Sequence, residues 1–348
     1  MDFQESNNPV EKLPIIGITM GDAAGIGAEI IIKSLADKGY EKDFQPVIIG
    51  DAKFIKRIAR ELKSDIEFEN LNTEGVEEIS DSGKVKIFDL ENLREKFEIG
   101  QASAVAGRAA AEYIESAVKL WKDGKIDAIT TAPINKESIN AGGYKFPGHT
   151  EFLAELTGTK DFAMSFFAEK LRVVLLSTHV SLKEAIDLIK TDKLVELIKF
   201  TDRELSGLLK RKVRIAVAGL NPHASESGMF GNEEAEEILP AIWKCRDVHN
   251  INVEGAFSPD TIFLRGFQGE FDAVIACYHD QATIAVKCLS FGASVNVTLG
   301  LPLIRTSVDH GTAFDIAGKY IADSSSLKAA MNLAADLVRI RRNSSENN

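Results

Sequence analysis

Long apolar runs, clustered basic residues and paired cysteines are all missing from this 348-residue sequence. No stretch approaches the ~20 apolar residues that cross a bilayer as a helix, and Met1 to Lys12 is polar and acidic, unlike a secretion signal. The expected location is the cytoplasm. The three cysteines, Cys245, Cys277 and Cys288, are an odd number without CxxC spacing, which suits a reducing compartment and excludes a disulfide framework. They read as buried thiols. The net charge is -11, spread along the chain without a basic stripe. Nucleic acid and anionic membranes are therefore excluded as partners.

What is present is enough apolar material, 45% of residues, for two compact lobes. Apolar β-rich runs alternate with stretches of helical period, the pattern of an α/β fold with a largely parallel sheet. Strands are expected at 14–20, 46–50, 126–132, 171–177, 213–219, 271–277 and 294–299. Ser181-Leu-Lys-Glu184 reads as a capping box opening a helix through Ile189, and Ser326 opens the last helix, which ends in Arg339, Arg341 and Arg342. Segments 64–86 and 136–149 look like connections. The lobes are expected to share the chain discontinuously, 12–145 with 290–342 forming one and 146–289 the other, with 343–348 a disordered tail.

Three of the six histidines, His179, His223 and His279, fall just beyond predicted strands. In parallel sheets ligands bind at the carboxyl ends of strands, so these imidazoles can converge although distant in sequence. Neutral imidazoles suit zinc and similar divalent metals, and three protein ligands leave a coordination position for substrate. Asp280 beside His279, and Asp260 in a Ser-Pro-Asp-Thr segment, can orient a ligand or approach the metal. The competing reading is that a histidine after a strand is ordinarily a loop residue with a satisfied hydrogen bond. His249, in a charged stretch, is assigned to that reading.

Gly21-Asp-Ala-Ala-Gly25-Ile-Gly27 has the position of a phosphate loop but is neither GxGxxG nor GxxxxGK[ST], so by itself it favours tight strand–helix packing. Gly148-His149-Thr150-Glu151 follows a turn-rich stretch from Asn140 to Pro147 and sits near a helix N-terminus, either as an anion site or as a Thr N-cap beside an exposed histidine. Lys287, Asn296 and Arg305 surround a strand and a Gly-Leu-Pro turn, and a lysine and an arginine can clamp phosphate or carboxylate. Surface charge is the ordinary alternative. Arg305 to Gly318 is too polar and glycine-rich for a buried strand and reads as a ligand loop.

Together these segments resemble the PdxA family, the 4-hydroxythreonine-4-phosphate dehydrogenases of vitamin B6 biosynthesis, over nearly the whole chain. The residues that carry it are Ile18-Thr-Met-Gly-Asp-Ala-Ala-Gly-Ile-Gly27, Thr130-Thr-Ala-Pro-Ile-Asn-Lys136, Gly148-His-Thr-Glu151, Gly219-Leu-Asn-Pro-His-Ala224, Tyr278-His-Asp-Gln281, and Thr298-Leu-Gly-Leu-Pro302 through Asp309-His-Gly-Thr312. His310 to Lys319 also resembles the adenosine loop of isocitrate and isopropylmalate dehydrogenases. The resemblance thus implies their two-domain fold, α/β/α lobes with a cleft between them, and not a Rossmann fold.

It further implies His179, His223 and His279 as ligands of a divalent metal (Zn, Mg or Co), and His149, Thr150, Lys287, Asn296 and Arg305 as substrate contacts. His310, Gly311, Thr312 and Asp315 would bind NAD or NADP. Lys287, Asp280 or Asp260 would handle the alcohol proton. A homodimer is implied, with the active site at the subunit interface. The activity implied first is oxidation and decarboxylation of 4-phosphooxy-L-threonine to 3-amino-2-oxopropyl phosphate. The alternative within the family is a 4-phospho-D-threonate or 4-phospho-D-erythronate dehydrogenase of sugar-acid catabolism. Family members commonly carry prolines where this chain has Ala23 and Ala28, and glycines where it has Ser225 and Ala282; those departures bear on substrate. A non-catalytic metal or nucleotide sensor and a metal-dependent hydrolase are readings from other classes. The intact residue set opposes the sensor and the nucleotide loop opposes the hydrolase.

Overall fold

Ile15–Thr19 has the sequence IIGIT and every residue of it is buried, as expected of a strand covered on both faces, which reads as a continuous apolar run rather than an alternating one. The computed structural model describes residues 12–71, 83–290 and 293–343. Among these, twelve strands form one sheet. In chain order they are β1 (Ile15–Thr19), β2 (Gln45–Gly50), β3 (Phe68–Leu71), β4 (Val85–Asp89), β5 (Ala128–Thr131), β6 (Ala163–Ala168), β7 (Leu171–Leu175), β8 (Ile215–Ala218), β9 (Val253–Phe257), β10 (Ala273–Ala276), β11 (Val295–Leu299) and β12 (Ile304–Ser307). The helices are α1 (Gly27–Leu35), α2 (Ala52–Glu61), α3 (Ala104–Lys122), α4 (Lys136–Ala141), α5 (His149–Thr157), α6 (Leu182–Asp187), α7 (Thr191–Leu209), α8 (Leu239–Trp243), α9 (Pro259–Phe267), α10 (His279–Ser290) and α11 (Ser325–Asn343). Glu234–Ile238 and Lys244–Val248, on either side of α8, are π-helical turns. None of these helices is long and apolar enough to cross a membrane.

Local chemistry starts the helices where strands end. Asp51 accepts from Phe54 N at 2.9 Å to cap α2, Ser103 caps α3 through Ala106 N, and Ser181 accepts from Glu184 N at 3.2 Å to open α6, the side-chain-to-backbone half of the expected capping box. The last helix begins at Ser325, one residue before the expected Ser326, which instead bonds the Asp309 carboxylate.

The strand order is β3-β4-β2-β1-β5-β12-β11-β6-β7-β10-β8-β9. The first six run parallel to one another, β11 and β6 each pair antiparallel with both neighbours, and β7, β10, β8 and β9 are again mutually parallel. Two reversals at β11 and one at β7 leave the last four strands pointing opposite to the first six. Loops after β1, β5 and β12 therefore leave the sheet in one direction, and loops after β7, β8 and β10 in the other. One apolar cluster packs around the first half of the sheet, from Ile15 to Ala154 and Leu301 to Val338. In the second half adjacent residues part to opposite faces, Val174 and Ile275 to one cluster and Val173 and Val274 to another, as the period of two requires.

All seven expected strands are present and the α/β expectation holds. Two readings need correction. Ile304–Ser307 is a fully buried central strand, not part of a loop. Thr306 is tolerated there because its Oγ1 meets Thr130 Oγ1 on β5 at 2.9 Å and Ala330 O on α11 at 2.9 Å. Cys245 and Cys277 are buried, but Cys288 is exposed, because it lies on the outer side of α10. The expected connections at 64–86 and 136–149 hold β3, the start of β4 and α4; residues 72–82, like the leading residues 1–11 and the tail 344–348, lie outside the described residues.

The glycine-rich turn between β1 and α1 is a packing device. A Cβ on Gly27 would stand 2.2 Å from Met20 O, and one on Gly25 would stand 2.8 Å from Thr312 O, both backbone atoms. Gly207, exposed within α7, has nothing within 4 Å of its would-be Cβ. Gly27→Ala should lower stability by about 1–3 kcal/mol through overpacking, while Gly207→Ala should raise it by about 0.5–1 kcal/mol through helix propensity. Urea unfolding of the two variants checks this. Equal stabilities would mean that the strand–helix junction is not in contact.

Candidate functional site

Arg305 lies on β12 at the centre of the sheet, opposite Thr298 on β11. From there it donates to Thr298 Oγ1 at 3.1 Å and to Thr131 Oγ1, at the end of β5, at 2.8 Å. Only 3% of the residue is exposed and its Nε has no partner. Burial lowers its pKa to about 10, opposed by the charge of Glu151, so the guanidinium remains charged at neutral pH. A buried charge without a bonded counterion costs several kcal/mol. An incoming carboxylate or phosphate would remove that cost.

Two further polar atoms around this strand triplet are enclosed without partners, His149 Nε2 and Asn296 Oδ1. Asn296 shares its face of β11 with Thr298, and His149 and Thr150 open α5, whose N-cap is Gly148 rather than Thr150. Thr150 Oγ1 lies 3.5 Å from Thr298 Oγ1. Burial, reinforced by the Arg305 charge, holds the His149 imidazole well below its usual pKa, so it is neutral. Orphaned buried donors and acceptors around an uncompensated cation are the physical signature of a polar, anionic ligand. Of the five expected substrate residues, four are drawn towards this point. Lys287 is exposed on α10 and makes no hydrogen bond to them.

The histidine-bearing loops follow three neighbouring parallel strands, β7, β10 and β8. The rings of His179 and His279 stand 5.9 Å apart, centroid to centroid. Asp280 Oδ1 lies 2.7 Å from His279 Nδ1; with the proton on Nδ1, that bond fixes the ring and leaves Nε2 as a donor to a metal. His223 sits in a left-handed turn with its ring beside Phe230, 6.3 Å between centroids. Among the described residues no three His, Cys, Asp or Glu side chains converge as a complete metal site. The imidazole pair with its orienting carboxylate fits a divalent metal, and further donors must approach it. Asp260 accepts from Ser258 Oγ at 2.6 Å and lines, with Asp280, Tyr278 and Gln281, a groove of about 440 Å³ between α9 and α10. His249 is exposed and stands apart.

The loop after β12 is anchored near its start. Asp309 accepts from Ser294 Oγ at 2.5 Å and Ser326 Oγ at 3.1 Å, and Thr312 O accepts from Ile26 N at 3.1 Å. His310 is half-buried with Nδ1 3.0 Å from Gly311 O, Thr312 is buried, and Gly311 and Asp315 are exposed. The glycine turn beneath it is closed to phosphate, because the N–H groups of Asp22, Ala24, Gly25 and Ile26 are all bonded within the protein. Asp22 is fully buried there, with its pKa raised by burial. The 310–315 loop, with its exposed glycine and carboxylate, could hold a ribose.

Thr131 and Thr298 were not singled out in the sequence as partners of Arg305. Their signal was available, since both lie in or at the end of predicted strands, but threonine in a strand is ordinary. Gln281 stood at the end of the Tyr278-His-Asp-Gln281 motif without a role of its own, and Glu234, which with it braces the histidine loops, left no signal.

Residues 42–334 match the family model described as pyridoxal phosphate biosynthetic protein PdxA. A D-threonate 4-phosphate dehydrogenase from Cupriavidus necator is 48% identical over 332 residues, covering 95% of this chain and 99% of the relative. The solved 4-hydroxythreonine-4-phosphate dehydrogenase of Klebsiella pneumoniae is 40% identical with a TM-score of 0.84, covering 93% of this chain and 99% of that one. A second, from Burkholderia phymatum, is 45% identical with a TM-score of 0.81, covering 93% and 98%.

The enclosed His149 gives a pH dependence. Its folded-state pKa lies below the usual 6.5, so above that value it is neutral folded or unfolded, and as pH falls through it only the unfolded chain takes up the proton. Wild-type stability should therefore drop more than that of His149→Gln between about pH 7.5 and about pH 5.5, by paired urea titrations. Equal drops would place His149 in water.

Proposed function

This chain belongs to the PdxA family, and from that premise we propose that it oxidises and decarboxylates 4-phospho-D-threonate, a reading that reverses the order of preference drawn from the sequence. As a member it is an NAD(P)-dependent dehydrogenase, of a family that uses a divalent metal and phosphorylated hydroxy acids. The observation that carries the proposal is the buried, uncompensated Arg305 with the orphaned His149 Nε2 and Asn296 Oδ1 around it. These are groups for an anion and for hydroxyls. Glu151, whose charge is felt at Arg305, is exposed and makes no bond to it, while the Asn296 amide and the threonines can hydrogen-bond a hydroxyl at carbon 2. The 48% identical relative bears the corresponding name. The names of the two solved relatives support 4-phosphooxy-L-threonine as the second reading.

In this reading Arg305, with Thr150, His149 and Asn296, binds and orients the anionic acid. His310, Gly311, Thr312 and Asp315 hold the adenosine end of the cofactor. His179, His223 and His279 would hold the metal, which supplies positive charge at the reacting hydroxyl and carbonyl oxygens. The hydroxyl proton at carbon 3 leaves to Asp280, Asp260 or Lys287, of which the two carboxylates share one groove, and a bound NAD(P) would supply the hydride acceptor. The resulting β-keto acid loses carbon dioxide, and proton return at carbon 2 gives dihydroxyacetone phosphate. Neutral His149, close to Arg305, can hydrogen-bond the acid without adding charge.

A homodimer completes the site. In one chain the histidine loops and the nucleotide loop leave the sheet in opposite directions, so a second copy supplies what each end lacks. The exposed apolar face of α9 and α10, with Leu264 48% and Ile284 64% exposed, supports this.

NADH formation by metal-replete protein, measured with the two phosphorylated acids side by side, tests the substrate. We expect kcat/KM at least about tenfold higher for 4-phospho-D-threonate, a difference of ~1.4 kcal/mol in transition-state binding; the opposite preference would place it with the amino acid substrate. EDTA should abolish turnover and added Zn, Mg or Co restore it, and unchanged turnover would remove the metal. Light scattering should give a dimer mass for wild type and a smaller one for Ile284→Glu; a wild-type monomer with full activity would refute the shared site.

A further inference from the structure

The three histidine-bearing loops are tied to one another by a chain of hydrogen bonds running across the ends of β7, β10 and β8. Ser177, shortly before His179, donates from Oγ to Cys277 O at 3.0 Å. Gln281, shortly after His279, accepts from Cys277 N at 2.7 Å through Oε1 and donates from Nε2 to Gly219 O at 2.8 Å. One amide side chain thereby joins the end of β10 to the end of β8. Beyond Gly219, the backbone N–H groups of Leu220 and Asn221 both donate to Glu234 Oε1 at 2.8 Å, and Asn221 Nδ2 donates to Glu234 Oε2 at 2.9 Å. Glu234 is 2% exposed.

These anchors hold a turn that would not keep its shape alone. From His223 to Ser227 every residue has left-handed backbone, with φ of 53, 50, 74, 48 and 59°. Each such non-glycine residue costs about 1–2 kcal/mol relative to the right-handed form, and backbone strain of this kind persists only where surroundings over-determine it. The charge-assisted bonds to Glu234 and the Ser225 Oγ bond to Gly231 O at 2.5 Å supply that determination. We propose that Gln281 and Glu234 are positioning residues that fix the loops of His223 and His279, to which Ser177 ties the loop of His179, so that their imidazoles are presented to a divalent metal. The role rests on the metal reading above, and it holds whichever subunit's histidines meet, because every loop is braced within its own chain.

The test is Zn²⁺ affinity of the full-length, EDTA-stripped protein by competition with a chelating dye, alongside the melting temperature in EDTA. Gln281→Leu keeps the side-chain bulk and removes both bonds. It should bind Zn²⁺ about 10–100-fold more weakly, the usual effect of losing a residue that orients metal ligands, with the metal-free melting temperature nearly unchanged. Glu234→Ala should weaken binding similarly, and Glu234→Gln, which keeps an acceptor for the two backbone N–H groups, should recover most of that loss. Wild-type affinity in Gln281→Leu, or affinity that falls only in step with melting temperature, overturns the proposal. Should Gln281→Leu fail to fold, Gln281→Glu, which loses only the bond to Gly219 O, is judged by the same two measurements. His279→Ala separates the two levels of inference: unimpaired Zn²⁺ binding there removes the metal reading itself, whereas impaired binding there with wild-type binding in Gln281→Leu removes only the positioning role.

Discussion

A guanidinium held inside the sheet, without a carboxylate bonded to it, is the constraint around which the rest of the molecule is arranged. Arg305 can occupy β12 only because the strands on either side present hydroxyls to it, Thr131 from β5 and Thr298 from β11. Those bonds satisfy donors but do not neutralise the charge, and desolvation leaves it poised for an anion. His149 must be neutral beside it, and the enclosed Nε2 of His149 and Oδ1 of Asn296 are the polar groups that a bound acid would complete.

The same strands decide where everything else can be. The antiparallel passage through β11 and β6 turns the second half of the sheet against the first, so the chain carries two sets of carboxyl-end loops facing opposite ways. One set bears the loop proposed for the nucleotide, packed on the glycine turn through Thr312. The other bears the histidines, spaced by neighbouring strands and braced by Gln281 and Glu234. A single chain thus separates the groups that the proposed reaction combines, which is the mechanistic reason for proposing a dimer.

Much of this was legible in residue patterns. Seven apolar runs located seven strands, because buried strands announce themselves through consecutive β-branched residues. The five strands that went unread have weaker signals: β3 is half-buried FENL, β9 holds Glu254 and Gly255, β12 is Ile-Arg-Thr-Ser, β6 begins half-exposed, and β4 carries Lys86 and ends in Asp89. Arg305 to Ser307 looked like a loop because a charged residue in a buried strand breaks the apolar pattern, which is also what makes it a candidate site.

What the sequence by itself determined was the α/β class, the candidate histidines at strand ends, the family resemblance and the set of residues capable of holding an anion. It determined these because periodicity, strand ends and short motifs are local properties of the chain. Only the tertiary structure decided that Arg305 is buried with Thr131 and Thr298 as its partners, that the glycine turn packs rather than binds, that Lys287 stands in solvent, and that a glutamine and a glutamate brace the histidine loops. Each of these depends on which strands become neighbours and in which direction they run, and pairing across more than a hundred residues, as between Thr131 and Arg305, is set by the competition of whole apolar faces for burial.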